Sequence, residues 1–83
     1  MKLGKLYKLK KDYQVMAIQY VNDNKVDVQK FYGKYLEYQG TDLLVDTIQG
    51  LKHLKFGDYL VKDIHGFFFV IKANKFKRDY IEI

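Results

Sequence analysis

Hydrophobic and polar positions along most of this chain alternate with the two-residue period of β-strands. Residues 13–20 are rich in β-branched and aromatic types, with Val15 and Ala17 on one face and Met16 and Ile18 on the other. Both faces of this segment are partly apolar, which is typical of a central strand. We therefore predict a strand over residues 13–20.

The next segment changes to the period of a helix. Val28, Phe31 and Tyr32 stand at positions i, i+3 and i+4, Asn24 is a suitable N-cap, and Gly33 can end the helix. A helix of two to three turns is not stable alone in water. We therefore predict a short helix that packs its single apolar stripe on a sheet.

The second half of the chain predicts two hairpins and a short closing strand. Gln49-Gly50 suits a tight turn because glycine accepts a positive φ, and His65-Gly66 marks a second turn. After these, residues 73–83 predict one turn of irregular or helical chain, then a strand with Ile81 and Ile83 on one face. The four strands of the two hairpins are predicted at 43–48, 51–55, 58–64 and 67–72.

This order of elements, β-α-β-β-β-β, predicts an α+β fold. One short helix packs on a twisted, mainly antiparallel sheet of about five strands. The 83 residues allow one domain, and the hydrophobic fraction of 48% with 17% aromatic residues is typical of a folded chain. We divide the chain into a basic N-terminal arm, residues 1–11, and a single α+β domain, residues 12–83.

The formal net charge of +5 is concentrated at the N-terminus. The arm contains five lysines and no acidic residue, whereas the rest of the chain carries ten basic and ten acidic side chains. The arm is either a solvated strand or tail, or a weak and salt-sensitive nucleic-acid binder together with a second basic cluster. The candidate residues for nucleic-acid binding are Lys2, Lys5, Lys8, Lys10, Lys11, Lys72, Lys75, Lys77 and Arg78.

Most catalytic chemistry is excluded by the residue types that the chain lacks. Without cysteine there are no disulfides, thiolate metal sites or thiol nucleophiles, and without serine there is no Ser-His-Asp triad. His53 and His65 lie on different predicted elements without metal-ligand spacing, and no glycine-rich phosphate loop is present. We therefore predict a protein that is not an enzyme and holds no cofactor and no metal.

No long apolar segment predicts a membrane-spanning helix, and the lysine-rich start lacks the apolar region of a signal peptide. We therefore predict a cytoplasmic protein without a membrane partner.

Consecutive phenylalanines at Phe67, Phe68 and Phe69 are the most distinctive apolar feature. The pleat of a strand sends Phe68 to one side and the other two to the opposite side. Either these side chains are covered by the helix, the arm or the last strand, or one face is open and binds a partner. The candidate partner-binding residues are Tyr59, Phe67 and Phe69, and the apolar strand also predicts a homodimer.

Five motifs follow one another along the chain: an alanine-aromatic strand, an asparagine-led helix ending in Phe-x-Gly, a Thr-x-x-Gly hairpin, a Gly-Asp-Tyr strand, and a Gly-x-Phe strand followed by Phe-x-x-x-Tyr. In this order they resemble a family of small uncharacterised bacteriophage and prophage proteins of Gram-positive hosts. Phe67 and Val70 stand where these relatives carry an acidic residue and a proline. The matching positions are Ala17, Tyr20, Asn24, Val28, Phe31, Gly33, Thr47, Gly50, Gly57, Asp58, Tyr59, Gly66, Phe68, Phe76 and Tyr80.

The resemblance implies a phage context without an established activity. Together with the missing catalytic groups, it leads us to expect a noncatalytic phage-encoded binding protein that acts on a protein of the bacterial host. Weak nucleic-acid binding by the lysines is the alternative. A small-ligand pocket between helix and sheet is a third possibility.

Overall fold

A computed structural model describes residues 4–9 and 13–83 of the chain, and these form an α+β fold. The described residues contain eight strands and two short helices. In chain order these are β1 (Lys5–Leu9), β2 (Gln14–Gln19), α1 (Lys25–Tyr32), β3 (Glu37–Gln39), β4 (Asp42–Thr47), β5 (Gly50–Leu54), β6 (Tyr59–Lys62), β7 (Phe68–Ile71), α2 (Ala73–Asp79) and β8 (Tyr80–Glu82).

The strands form two antiparallel sheets. One has five strands in the order β7-β6-β2-β1-β8, and the other has three in the order β3-β4-β5. In the larger sheet, Ala17 lies opposite Lys5 on one side and Val61 on the other. Because side chains alternate along each strand, this register assigns every residue of the sheet to one of two faces.

The first face of the larger sheet is packed against α1 and the three-stranded sheet. Val28, Phe31 and Tyr32 of α1 are buried there, as the helical pattern predicts. The larger sheet contributes Leu60 and Phe68 to this core. The smaller sheet contributes Leu43, Val45 and Leu54. This core is the larger of the two.

The second face is covered by α2. Phe76 is only 1% exposed and its ring stacks between Tyr59 and Tyr80, at centroid distances of 3.9 and 4.5 Å. Tyr7 packs edge-on to Phe76 at 4.7 Å. One aromatic side chain of a seven-residue helix therefore fills the centre of this face.

Asn24 precedes α1 as predicted, but its side chain makes no capping hydrogen bond to the helix. Its Oδ1 accepts from the Val21 N–H at 2.9 Å, and its Nδ2 donates to the Gln19 carbonyl at 2.7 Å. The asparagine thus fixes the turn that leads from β2 into α1. Gly33 ends the helix with a φ of 76°, in the left-handed region that favours glycine.

The α+β class, the central strand, the helix and both hairpins are confirmed. The division of the strands into two sheets and the short strand β3 were not predicted. Residues 73–79, for which irregular or helical chain was predicted, form α2, so the fold has two short helices instead of one. Within the arm, residues 1–11, Lys5–Leu9 pairs with β2 and β8 inside the larger sheet. Three lysines of the arm, Lys2, Lys10 and Lys11, lie outside the described residues.

Candidate functional site

The three predicted partner-binding residues, Tyr59, Phe67 and Phe69, differ in exposure. Tyr59 is 7% exposed and lies in the core under α2. Burial raises the pKa of its phenol, with a further contribution from the Glu82 carboxylate. The ring of Tyr59 therefore belongs to the packing of the fold.

The three consecutive phenylalanines separate as the pleat requires, but they do not make one surface. Phe68 lies in the core beneath α1, and Phe69 packs on the opposite face. Phe67 precedes β7 and is 50% exposed in a shallow groove beside Ile48 and Lys34. Its backbone N–H donates to the Asp63 carboxylate at 2.9 Å, which holds it in the turn. Phe67 is thus the exposed member, and Phe69 faces a different region.

A larger exposed apolar surface lies at the other end of the five-stranded sheet. Leu6 is opposite Met16 in the register, and the Ile83 N–H donates to the Leu6 carbonyl at 3.1 Å. Ile64, in the turn between β6 and β7, lines the same groove as Leu6 and Met16. The apolar side chains of the resulting open face are Leu6, Met16, Ile64, Ile81 and Ile83. Lys8, Gln14 and Lys62 project from the same face.

Exposure shows that no described element covers the open face. Its leucine and isoleucines are between 40% and 73% exposed, and Met16 is half-buried. Ile81 lies opposite Lys8 in the register, so it shares the face that carries Leu6 and Met16. The helix α1 and the smaller sheet pack over the part of this face nearer to β6 and β7.

The open face also borders an edge of the sheet. β8 pairs with β1, and on its other side no strand of the described residues lies next to it. Its outer backbone groups can therefore pair with an added strand. Sequence reasoning placed Ile81 and Ile83 on one face but could not show that this face stays open, because that depends on how far α1 reaches across the sheet.

The second face contains a cleft of about 260 Å³ beside α2, which we call the polar cleft. Its apolar floor includes Phe69 and Ile71 of β7. The walls come from the hairpin of β4 and β5, from α2 and from the residues that flank β2 and β8. The polar side chains that line it are Tyr13, Thr47, Gln49, Lys52, Lys75 and Tyr80.

The basic residues proposed for nucleic-acid binding are spread over several surfaces in the described part of the chain. Lys5 and Lys8 project from opposite faces of β1. The Lys5 ammonium pairs with Glu82 at 3.6 Å, and Arg78 pairs with Asp79 at 3.0 Å. Lys72, Lys75 and Lys77 are exposed on or next to α2. This geometry forms no single stripe of cations.

The histidines are surface residues, as predicted. His53 lies 3.0 Å from the Asp42 carboxylate on the outer face of the smaller sheet, and His65 is exposed in a turn. Within residues 4–9 and 13–83, no group of three histidine or acidic side chains is placed to hold a metal ion. None of the helices described has the length and apolar character needed to cross a membrane.

Comparison with protein-family models, with curated proteins and with solved structures finds no match to this chain. The resemblance to bacteriophage proteins stays a prediction. The open face and the polar cleft are the two candidate functional sites of the described residues.

Proposed function

We propose that this chain is a noncatalytic binding protein that docks on a partner protein through the open face. The observation that supports the proposal is the position of four exposed aliphatic side chains on one face of the sheet, at an end that no element of the described residues covers. Single exposed apolar residues are common on any protein, but side chains that adjoin across strands form a continuous patch. Such patches are typical of interaction surfaces.

Burial of this patch gives a physical reason for binding. Each aliphatic side chain that leaves water on docking contributes roughly 1 to 2 kcal/mol in favour of the complex. The free edge of β8 adds backbone hydrogen-bond groups that an extended segment of the partner can use. The open face thus offers both apolar contact and directional pairing.

The resemblance to bacteriophage proteins suggests the class of partner. A phage-encoded protein of this size acts in the bacterial cell, so the partner that we propose is a protein of the host. Weak nucleic-acid binding is the less favoured alternative, because the described cations are dispersed and two of them are paired with acids.

Two double variants test the proposal, and each replaces two exposed aliphatic side chains by lysine. Ile81→Lys/Ile83→Lys places charge on the open face, whereas Val26→Lys/Ile48→Lys places the same charge at equally exposed sites elsewhere. All four positions are exposed, so both variants are expected to fold with less than about 1 kcal/mol change in stability. Circular dichroism and thermal unfolding check this first.

Each form is then used to capture proteins from nuclease-treated bacterial lysate at low and high salt. We expect the unmodified chain and the Val26/Ile48 control to retain the same host protein at high salt, and the Ile81/Ile83 variant to lose it. Equal retention by both variants would contradict the proposal. Capture that disappears with nuclease or salt in every form would instead support the nucleic-acid alternative.

Light scattering on the same samples tests whether a second copy covers the open face. The predicted homodimer requires twice the mass of one chain at high concentration, and only the Ile81/Ile83 variant should return to the mass of one chain. A single-chain mass for every form would reject the homodimer.

A further inference from the structure

The polar cleft combines an apolar floor with two lysines that form no ion pair within the described part of the chain. Phe69 and Ile71 form part of the floor, and Lys52 and Lys75 stand on opposite walls, one on the β4–β5 hairpin and one on α2. No acidic side chain of the described residues lines the cleft. Neither lysine forms an ion pair with a described residue. The described lining of the cleft therefore carries positive charge, although the chain beyond residue 11 is formally neutral.

Neutral hydrogen-bond donors accompany the two lysines. Tyr13, Tyr80 and Gln49, whose side chains carry hydroxyl or amide donors, belong to the lining. Burial raises the pKa of Tyr80, with contributions from Asp79 and Tyr13, so its phenol stays protonated and can donate at neutral pH. The hydroxyl of Thr47 is already used within the hairpin, where it donates to the Gly50 carbonyl at 2.7 Å.

We propose that the polar cleft binds a small organic anion, with its carboxylate or phosphate held by Lys52 and Lys75 and its flat apolar part against Phe69 and Ile71. An apolar floor beside several polar groups is an arrangement found in small-molecule sites in general. The volume lies just below the roughly 300 to 1,000 Å³ of such sites, so the ligand is limited to about one ring.

This inference is independent of the open face. The floor of the cleft belongs to the face of the sheet that α2 covers, whereas Leu6, Met16 and Ile81 project from the other face. Failure of either proposal leaves the other standing. The ligand site also needs no catalytic group.

The test is a titration of the full, isotope-labelled chain with phenyl phosphate, followed by NMR chemical shifts of the backbone amides. Inorganic phosphate supplies the charge alone, and benzyl alcohol supplies the ring alone. We expect saturable shifts at Lys52, Phe69, Ile71 and Lys75 with phenyl phosphate. We expect each half-ligand to bind at least tenfold more weakly, because charge and ring contribute together.

Variants then assign the binding to the two lysines. Lys52→Met and Lys75→Met each remove one charge-assisted contact and should weaken phenyl phosphate binding by roughly five- to tenfold. Lys77→Met and Lys55→Met remove exposed lysines outside the cleft and serve as matched controls with unchanged affinity. All four lysines are exposed, so the amide spectra should retain the dispersion of the folded chain.

Three results would overturn the inference. One is inorganic phosphate binding as tightly as phenyl phosphate, since that would indicate attraction to surface charge alone. Another is an equal loss of affinity in the Lys77 and Lys75 variants. The third is a set of shifts confined to the open face, around Leu6 and Ile81, which would place the apolar ring elsewhere.

Discussion

The two faces of the five-stranded sheet are covered to different extents by helices of similar length. The seven-residue α2 closes its face because Phe76 stacks between two tyrosines at the centre of the sheet. The eight-residue α1 shares the other face with the smaller sheet, yet both together leave the β1–β8 end exposed. How much of a sheet face is covered therefore depends on the position of the large side chains of the helix and not on the length of the helix.

The two candidate sites differ in the same way, because one lies on the covered face and the other on the face that is partly open. The covered face keeps a small, partly open cleft at its margin, suited to a ligand of one ring. The open face offers a shallow groove and exposed aliphatic side chains next to a few polar ones, suited to another protein surface. A single sheet thus provides two chemically different sites on opposite sides.

The largest expected effect comes from removing the aromatic ring that closes the covered face. Phe76→Ala leaves a cavity between Tyr59 and Tyr80 and should reduce the free energy of unfolding by about 3 to 5 kcal/mol. Urea unfolding followed by circular dichroism measures this loss. Where Phe76→Ala is too unstable to study, Phe76→Leu should give a smaller loss in the same direction.

The matched control is Phe67→Ala, because Phe67 is half exposed and belongs to neither core. Its unfolding free energy should change by less than about 1 kcal/mol. Equal losses for Phe76→Ala and Phe67→Ala would contradict the account of the covered face.

A smaller effect is expected where α1 meets the start of β1. Gly4 has a φ of 78°, and a Cβ at this position would come within 2.6 Å of the Phe31 ring. Gly4→Ala therefore adds a steric conflict to backbone strain and should reduce the free energy of unfolding by about 2 kcal/mol or more.

Gly50→Ala separates the two causes in the same assay. Gly50 also has a positive φ, but no atom lies near the position of its Cβ. It should show only the backbone strain, about 1 kcal/mol. Equal losses at Gly4 and Gly50 would mean that Phe31 does not pack on the start of β1.

The elements with strong local signals could be predicted from the sequence. The helical spacing of Val28, Phe31 and Tyr32 and the turn glycines Gly33 and Gly50 all have the roles expected of them. These signals depend on residues close together in the chain. Propensity and turn chemistry act over that range, so the α+β class followed from them.

The division into two sheets and the candidate sites could not be predicted in the same way. Tyr59 is buried because Phe76, seventeen positions later, stacks on it, and no local pattern indicates that contact. Lys5–Leu9 forms a strand because β2 and β8 pair with it on its two sides. The polar cleft likewise joins Lys52 and Lys75, which belong to different elements.

The central claim, that one face of the sheet is covered and the other is open at the β1–β8 end, is tested most directly by labelled isoleucine methyl groups. A soluble paramagnetic agent relaxes the NMR signals of exposed methyl groups faster than those of buried ones. The chain has six isoleucines, and they sample both faces. Ile18 and Ile71 are half-buried, whereas the exposed ones are Ile48, Ile64, Ile81 and Ile83.

At low protein concentration, we predict strong relaxation of Ile64, Ile81 and Ile83, equal to that of Ile48 in the β4–β5 turn, and protection of Ile18 and Ile71. Protection of Ile81 and Ile83 that appears only at high concentration, with Ile48 unchanged, would show a second copy covering the open face. Protection of Ile81 and Ile83 to the level of Ile18 in the dilute single chain would contradict the account.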